Sequence, residues 1–435
     1  MADAFPEIKH VVVLLLENRS FDHMLGGLAD VDGASPAWSN SDGVRDYPQT
    51  PLEYWEHDDA RIVTPDPKHE DVNVVRQLQG DNRGFVADYA TEYPDTTPAQ
   101  RQKIMSYYPA GALGPLHTLA TNFAVCQRWH SSVPGPTWTN RLFAMSGTAL
   151  GRIRMPGAPN YAQPSIFYRL FQADRTCRVY YGSFPLTLLL DDQRVGIETE
   201  HYDPRSNYYP FAWFESHTRK AEKRFPDFVF IEPRYLGFAP NDDHPPHDPF
   251  NAQRLIAKVY NAIRANAQLW KTTLLVVLYD EHGGFADHVV PPATIAPDDE
   301  HGEYTFDRLG VRVPAVLVSP WIARAGGQRA VRSHQPPPVT HREVGPRPAG
   351  RTHGTSDGHL CRVDASSSAT DGHTEDNRLR SPGRAGLGGS ANGSPERGAR
   401  PERVHRSDAW AHTAGTGRPV FRRRGGTRGT VRREL

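Results

Sequence analysis

Cysteine is scarce: Cys126, Cys177 and Cys361 are the only three in 435 residues. They stand far apart with no C-x-x-C pair, which argues against a disulfide framework and against a thiolate zinc site. A reducing compartment is permitted by this usage. Net charge is also missing. Fifty Lys and Arg balance fifty Asp and Glu, so no global field points to nucleic acid, and basic residues have to be read by position. Long apolar runs are absent as well; none approaches the roughly 18 residues of a membrane span. The opening MADAFPEIKH lacks the basic region and small-residue cleavage site of an export signal. As written, the chain is expected in the cytoplasm, and secreted or periplasmic if its true start lies upstream.

Short, wholly apolar runs are plentiful: VVVLLL (11–16), CRVYYGS (177–183), DFVFIEP (227–233), TLLVVLYDE (273–281) and VPAVLVSPW (313–321). Runs of this length, rich in β-branched residues, fit strands covered on both faces, as in a parallel sheet flanked by helices. Buried helix segments are the alternative, and the shortness of the runs argues against them. The stretch NAQRLIAKVYNAIRANAQLW (251–270) has apolar residues at helical spacing and precedes a strand. The expected class is therefore α/β with a mainly parallel central sheet. Length allows one large domain or two to three smaller ones. The polar, Pro- and Asp-rich stretches 38–69 and 296–304 are expected to be active-site loops.

No lysine follows Lys271, and beyond residue 324 Arg, Gly, Pro, Ser and Thr dominate without apolar periodicity. The expected division is a catalytic domain over 1–324 and a tail over 325–435. One reading is a disordered tail whose arginines touch nucleic acid or membrane. The preferred one is a frame change that replaced the native C-terminus, because a core element should follow VPAVLVSPW.

Two of the strands finish in adjacent oxygen donors, Glu17–Asn18 after VVVLLL and Asp280–Glu281 after LLVVLY. In open α/β sheets ligands bind at the strand carboxyl ends, so two parallel strands ending this way can converge on one cation. Hard oxygens suit Mg²⁺, Ca²⁺ or Mn²⁺, with Zn²⁺ also open. Neighbouring strand residues point opposite ways, so joint ligation requires a turn; Gly283 and Gly284 supply one on that side. Singly, each acid reads better as a solvated strand end. In SVPGPTWTNRLFAMSGT (132–148) a Pro-Gly-Pro turn presents Thr137 at the start of a helical pattern, either as a helix cap or as a nucleophile. His69, His244, His247 and His288 occupy polar loops and are candidates for phosphate binding or proton transfer, with Asp243 or Asp287 as the acid that orients a ring. Taken alone, a loop histidine is more often a plain surface residue.

In their order, IKHVVVLLLENRSFDHMLG, PGPTWTNRLFAMSGT, DDHPP and LYDEHGGFADHVVPP resemble the bacterial phosphoesterase family of phospholipases C and related acid phosphatases, over about residues 8–324. The resemblance implies an alkaline-phosphatase-like fold, a divalent metal ion, and a Ser or Thr phosphorylated during turnover. It casts Glu17, Asn18, Asp280 and Glu281 as metal ligands and Thr137 as nucleophile and ligand. His69 and His244 become phosphate-binding or proton-transferring residues, with His288 in a matching motif. The expected partner is a phosphate ester, such as a phospholipid headgroup, with no nucleic acid and with oligomeric state open. Threonine at 137 is similar to the phospholipase C branch. One departure stands out: members continue after the last strand into a D-H-T-S segment and a helix, and neither follows here. An inactive remnant with a damaged C-terminus is therefore the rival reading, and an Arg-rich nucleic-acid binder a third.

Overall fold

The computed structural model describes residues 7–154, 161–194 and 203–322. The expected boundary at 324 and the whole 325–435 tail lie outside them, so the frame-change and tail readings do too.

Seven strands build the central sheet: β1 (His10–Leu16), β2 (Ala124–Val125), β3 (Cys177–Tyr181), β4 (Tyr208–Pro210), β5 (Phe228–Glu232), β6 (Thr273–Tyr279) and β7 (Ala315–Val318). Their spatial order is β2-β7-β6-β1-β5-β3-β4. From β6 through β4 all pairings are parallel, and β7 alone runs antiparallel to its neighbours β6 and β2. The expected mainly parallel α/β sheet is present; four of the five apolar runs contain a whole strand, and the run 11–16 forms all of β1 but its first residue, His10.

Helices cover both faces, as continuous apolar strands require. The helices of the described residues include α1 (Phe21–Leu25), α2 (Asp71–Gln77), α3 (Phe85–Glu92), α4 (Gly114–Asn122), α5 (Thr137–Ser146), α6 (Ile166–Gln172) and α7 (Pro249–Arg264), with Pro98–Met105 and several shorter helices and turns besides. On one face Val12, Leu14, Leu16, Val229, Ile231, Leu275 and Val277 pack against Leu116 and Leu119 of α4 and against Leu255, Ile256, Val259 and Ile263 of α7. On the other face Leu15, Val179 and Phe230 meet Leu142, Phe143 and Met145 of α5 and Phe167 of α6. Each buried side chain of this size contributes roughly 1.5–3 kcal/mol by leaving water. Asp248 caps α7, accepting from the Phe250 N–H at 3.0 Å, and Pro249 occupies its first position. The helix expected over 251–270 is in fact two, because Asn266 leaves helical geometry and caps a separate turn, Ala267–Lys271.

Winding reverses at β1: β5 lies on one side of it and the next strand, β6, on the other. A crevice therefore opens at the carboxyl end of β1. In the β1–β6 register Leu16 faces Tyr279, which sets Glu17 beside Asp280.

Two buried histidines tie loops to this frame in their neutral form. His117 donates from Nε2 to the Met24 carbonyl at 2.7 Å and accepts the Gly111 N–H on Nδ1 at 2.9 Å; His130 meets the Gly310 carbonyl through Nδ1 at 2.9 Å. Burial pushes both down to about 4 from the ordinary 6.5. A depressed histidine pKa stabilises the fold above 6.5 and loses that contribution as pH falls towards 4, on the order of 3 kcal/mol for each ring. Melting temperature should therefore drop steeply between pH 6.5 and 4, and His117→Gln should flatten that slope. An unchanged slope in the variant would remove His117 from the account.

Candidate active site

At the end of β1 the backbone turns at once. Asn18 has φ 57°, so Glu17 and Asn18 leave the strand on one side instead of alternating. The β6 end is bonded to it: Asp280 Oδ1 accepts the Asn18 N–H at 3.2 Å and the Glu281 N–H at 2.7 Å, and the Arg19 N–H reaches the Glu281 carbonyl at 3.0 Å. The expected turn at Gly283 and Gly284 is present, with φ of 63° and 73°. A Cβ on Gly283 would stand 2.2 Å from the Asn18 carbonyl oxygen, and one on Gly284 would stand 2.7 Å from that of Lys68. Only glycine lets these three segments meet.

Those contacts deliver His69. Its loop is held by Gln77 of α2, which donates to the Lys68 carbonyl at 2.7 Å, and by the hydroxyls of Tyr89 and Tyr93, which donate to the Pro65 and Asp66 carbonyls at 2.9 and 2.8 Å. The His69 ring donates from Nδ1 to the Pro67 carbonyl at 2.9 Å, so Nε2 is left to accept from the Asn18 side-chain amide at 3.0 Å. Glu281 lies 3.8 Å from the same nitrogen. The other side of Asn18 accepts the Thr137 hydroxyl at 3.3 Å. Thr137 opens α5, and the turn before it is fastened by Asn140, whose amide donates to the Gly135 carbonyl at 2.9 Å and accepts the Val133 N–H at 3.0 Å. His244 follows β5, its ring centroid 5.8 Å from that of His69.

Glu17, Asp66, His69, Thr137, Trp138, Tyr235 and His244 line an open cavity of ≈ 430 Å³. Asn18, Asp280 and Glu281 join it from beneath through the bonds above. Seven of the eight proposed site residues thus come together. His288 does not: its ring bonds Asp22 at 2.8 Å and Asp32 at 3.1 Å. The ring-orienting acids also differ from expectation. Asp242, not Asp243, meets His247 at 2.7 Å, while Asp243 accepts the Tyr279 hydroxyl; Asp287 bonds Arg312 at 2.8 Å and leaves His288 to Asp22.

Arg141 escaped the sequence reading, although it lies one helical turn beyond Thr137 on the same face. Its fully buried guanidinium spans Glu17 at 3.0 Å, Asp280 at 2.9 Å and the Tyr235 hydroxyl at 2.8 Å. Tyr235 in turn donates to Glu232 at 3.0 Å. Neither Tyr235 nor Asp66 carries a sequence signal that separates it from its neighbours.

One guanidinium does not neutralise this set. Burial, reinforced by Asp280, Asp242 and Glu281, lifts Glu17 well above the carboxylate range against Arg141, and burial pushes Asp280 up to about 7. Burial also opposes ionisation of Glu281, but His69, His282 and the Gly283 N–H outweigh it and hold its pKa down. Glu281 Oε1 is buried with no hydrogen-bond partner, and so is Asp66 Oδ1 beside it. Orphaned carboxylate oxygens next to an amide and a hydroxyl oxygen form a hard donor set, which fits a divalent cation. Asp22, Asp287 and His288 also present ligand atoms within 4.8 Å of one another. There, however, the buried Arg312 already bonds Asp22 at 2.9 Å and Asp287 at 2.8 Å, so the protein supplies its own cation.

The sequence profile of the Phosphoesterase family matches residues 8–334, and the chain belongs to that family. Non-specific phospholipase C6 of Arabidopsis thaliana is 36% identical over 335 residues, 73% of this chain and 62% of that protein. Non-specific phospholipase C3 of the same plant is 33% identical over 79% of this chain and 67% of its own length. Non-hemolytic phospholipase C of Pseudomonas aeruginosa is 26% identical, over 72% and 50%. The chain thus spans between half and two thirds of these relatives. Among solved structures, an alkaline phosphatase superfamily protein from Vibrio parahaemolyticus aligns over 73% of the chain with 11% identity and a TM-score of 0.28.

Removing Arg141 should strand two buried carboxylates. Arg141→Met is expected to cost about 3–5 kcal/mol in urea unfolding, and Arg141→Lys should recover only part, since a single ammonium nitrogen lacks the spaced planar fork that reaches Glu17, Asp280 and Tyr235 from three different nitrogens. A loss below about 1 kcal/mol in the Met variant would contradict the bridging role.

Proposed function

We propose that the chain hydrolyses phosphate esters, with Thr137 as the nucleophile and a divalent cation held by Glu17, Asn18, Asp280, Glu281 and the Thr137 oxygen. The observation that carries this reading is the Thr137 hydroxyl 3.3 Å from Asn18, in a cavity lined also by Glu17, His69 and His244. When bound, the cation supplies the positive charge that lowers the hydroxyl pKa and offsets charge on phosphate oxygens.

The remaining work belongs to the chain. Thr137 is the first residue of α5, so a phosphoryl group beside it faces unpaired N–H groups and the positive helix end. Its Oγ1 passes its proton to a neutral histidine, His69 or His244, and attacks phosphorus in line, forming the Oγ1–P bond as the bond to the leaving oxygen breaks. His69 or His244 gives the departing oxygen its proton and stabilises charge on the non-bridging oxygens. Water then gives a proton to the same histidine as it attacks the phosphothreonine; the Oγ1–P bond breaks, phosphate leaves, and the histidine returns the proton to Oγ1. Arg141 keeps Glu17 and Asp280 in place throughout. The relatives named phospholipase C and the threonine at 137 support a phosphodiester of the phospholipid type.

Purified protein should release p-nitrophenol from p-nitrophenyl phosphorylcholine, and less readily from p-nitrophenyl phosphate, and chelator should abolish both. Thr137→Ala should lower turnover by at least about a thousandfold, as expected when a nucleophile is lost, and Thr137→Ser should retain part of it. Full activity in the alanine variant would sink the covalent route.

A further inference from the structure

Three large apolar side chains stand in water around the mouth of the cavity. Phe184 is 54% exposed, Leu236 70% and Phe238 91%. Phe184 and Leu236 line the cavity itself, together with Leu186 and Trp138. The exposed residues sit on the two loops that leave the carboxyl ends of β3 and β5, and those loops are joined, since Ser183 Oγ accepts the Tyr235 N–H at 3.0 Å.

The loop after β5 is held in shape by its own bonds. Asn241 accepts the Arg234 N–H on Oδ1 at 2.6 Å and donates its own N–H to the Arg234 carbonyl at 2.9 Å. Arg234 Nη1 crosses the loop to the Phe238 carbonyl at 3.0 Å. This clasp leaves Leu236, Gly237 and Phe238 at the tip. An ordered loop that keeps leucine and phenylalanine in water forgoes the usual gain from burying them, and apolar exposure contiguous with a polar cavity marks an interaction surface.

We infer that this rim docks the protein on a phospholipid surface, with Phe238 and Leu236 entering the interface and Phe184 guiding a lipid from it towards Thr137. The occupant is argued from continuity, because one apolar wall runs from the exposed tip into the cavity and ends at the phosphate-reactive group. Two cations are exposed nearby, Lys68 at the cavity beside the exposed Glu70 and Arg234 in the tip loop itself, and Arg234 meets the phosphate level of a bilayer while the apolar tips pass below it. The inference rests on the phosphoesterase reading for the identity of the occupant, whereas docking itself needs no turnover.

Sedimentation with sucrose-loaded vesicles, of phosphatidylcholine alone and mixed with phosphatidylserine, tests the rim with the full chain. Phe238, which does not line the cavity, is the residue to change. Phe238→Ser should weaken vesicle partitioning by about tenfold or more and lower hydrolysis of vesicle lipid to match, while p-nitrophenyl phosphorylcholine hydrolysis stays within about twofold. Thr137→Ala should bind vesicles as the parent does. Phe238-dependent binding without hydrolysis of any ester would support the rim and defeat the phosphoesterase reading. Hydrolysis of the soluble ester with no vesicle binding, or with binding indifferent to Phe238→Ser, would overturn the rim. Phe238-dependent self-association in its place would overturn it too, in favour of a second copy as the occupant.

Discussion

Parallel pairing of β1 with β6 is the constraint on which the site depends. The register that sets Leu16 opposite Tyr279 forces Glu17, Asn18, Asp280 and Glu281 into one buried corner. Like charges held this closely in a poorly polarisable interior repel, and each pays for leaving water. Arg141 offsets part of that cost by joining Glu17 and Asp280. What is left over is the Glu281 oxygen that has no hydrogen-bond partner, next to the amide that also touches Thr137 and His69. The chemistry proposed for the site rests on this imbalance, because a corner that retains negative oxygen without hydrogen-bond partners fits a divalent cation.

Much of this was legible in the sequence, for physical reasons that particular residues show. The runs VVVLLL and TLLVVLY are apolar on every residue, and only a strand covered on both faces needs that. Their final acids break the pattern so abruptly that a ligand site at the sheet edge was the economical reading. The edge strands Ala124–Val125 and Tyr208–Pro210 were invisible, being too short for any period to emerge. Arg141 was also missed, although helical spacing from Thr137 would have placed it on the same face. Its partners lie on β1 and β6, and a single sequence does not show which arginine crosses to which strand.

The histidines mark where local reading stops. His69 and His244 reached the cavity because their loops are bonded to the helices and strand ends around it. His288 was drawn into a different network by Asp22 and Asp32, from segments more than 250 residues away in sequence. Which of two adjacent acids meets a ring is decided by backbone rotation. At Asp243, φ is 79°, and that side chain goes to Tyr279 while Asp242 serves His247. The exposed tip at Leu236–Phe238 carries no period of its own, and its meaning emerges only beside the cavity it borders.

The most direct test of the cation-completed corner is thermal unfolding titrated with Mn²⁺, Ca²⁺, Mg²⁺ and Zn²⁺, for the parent and for Glu281→Gln. An ion that binds only the native state should raise the parent by about 2.7 kcal/mol at a hundredfold excess over its Kd, and the same ion should leave Glu281→Gln nearly unmoved. A parent transition blind to every ion, or an equal rise in both proteins, would contradict the account.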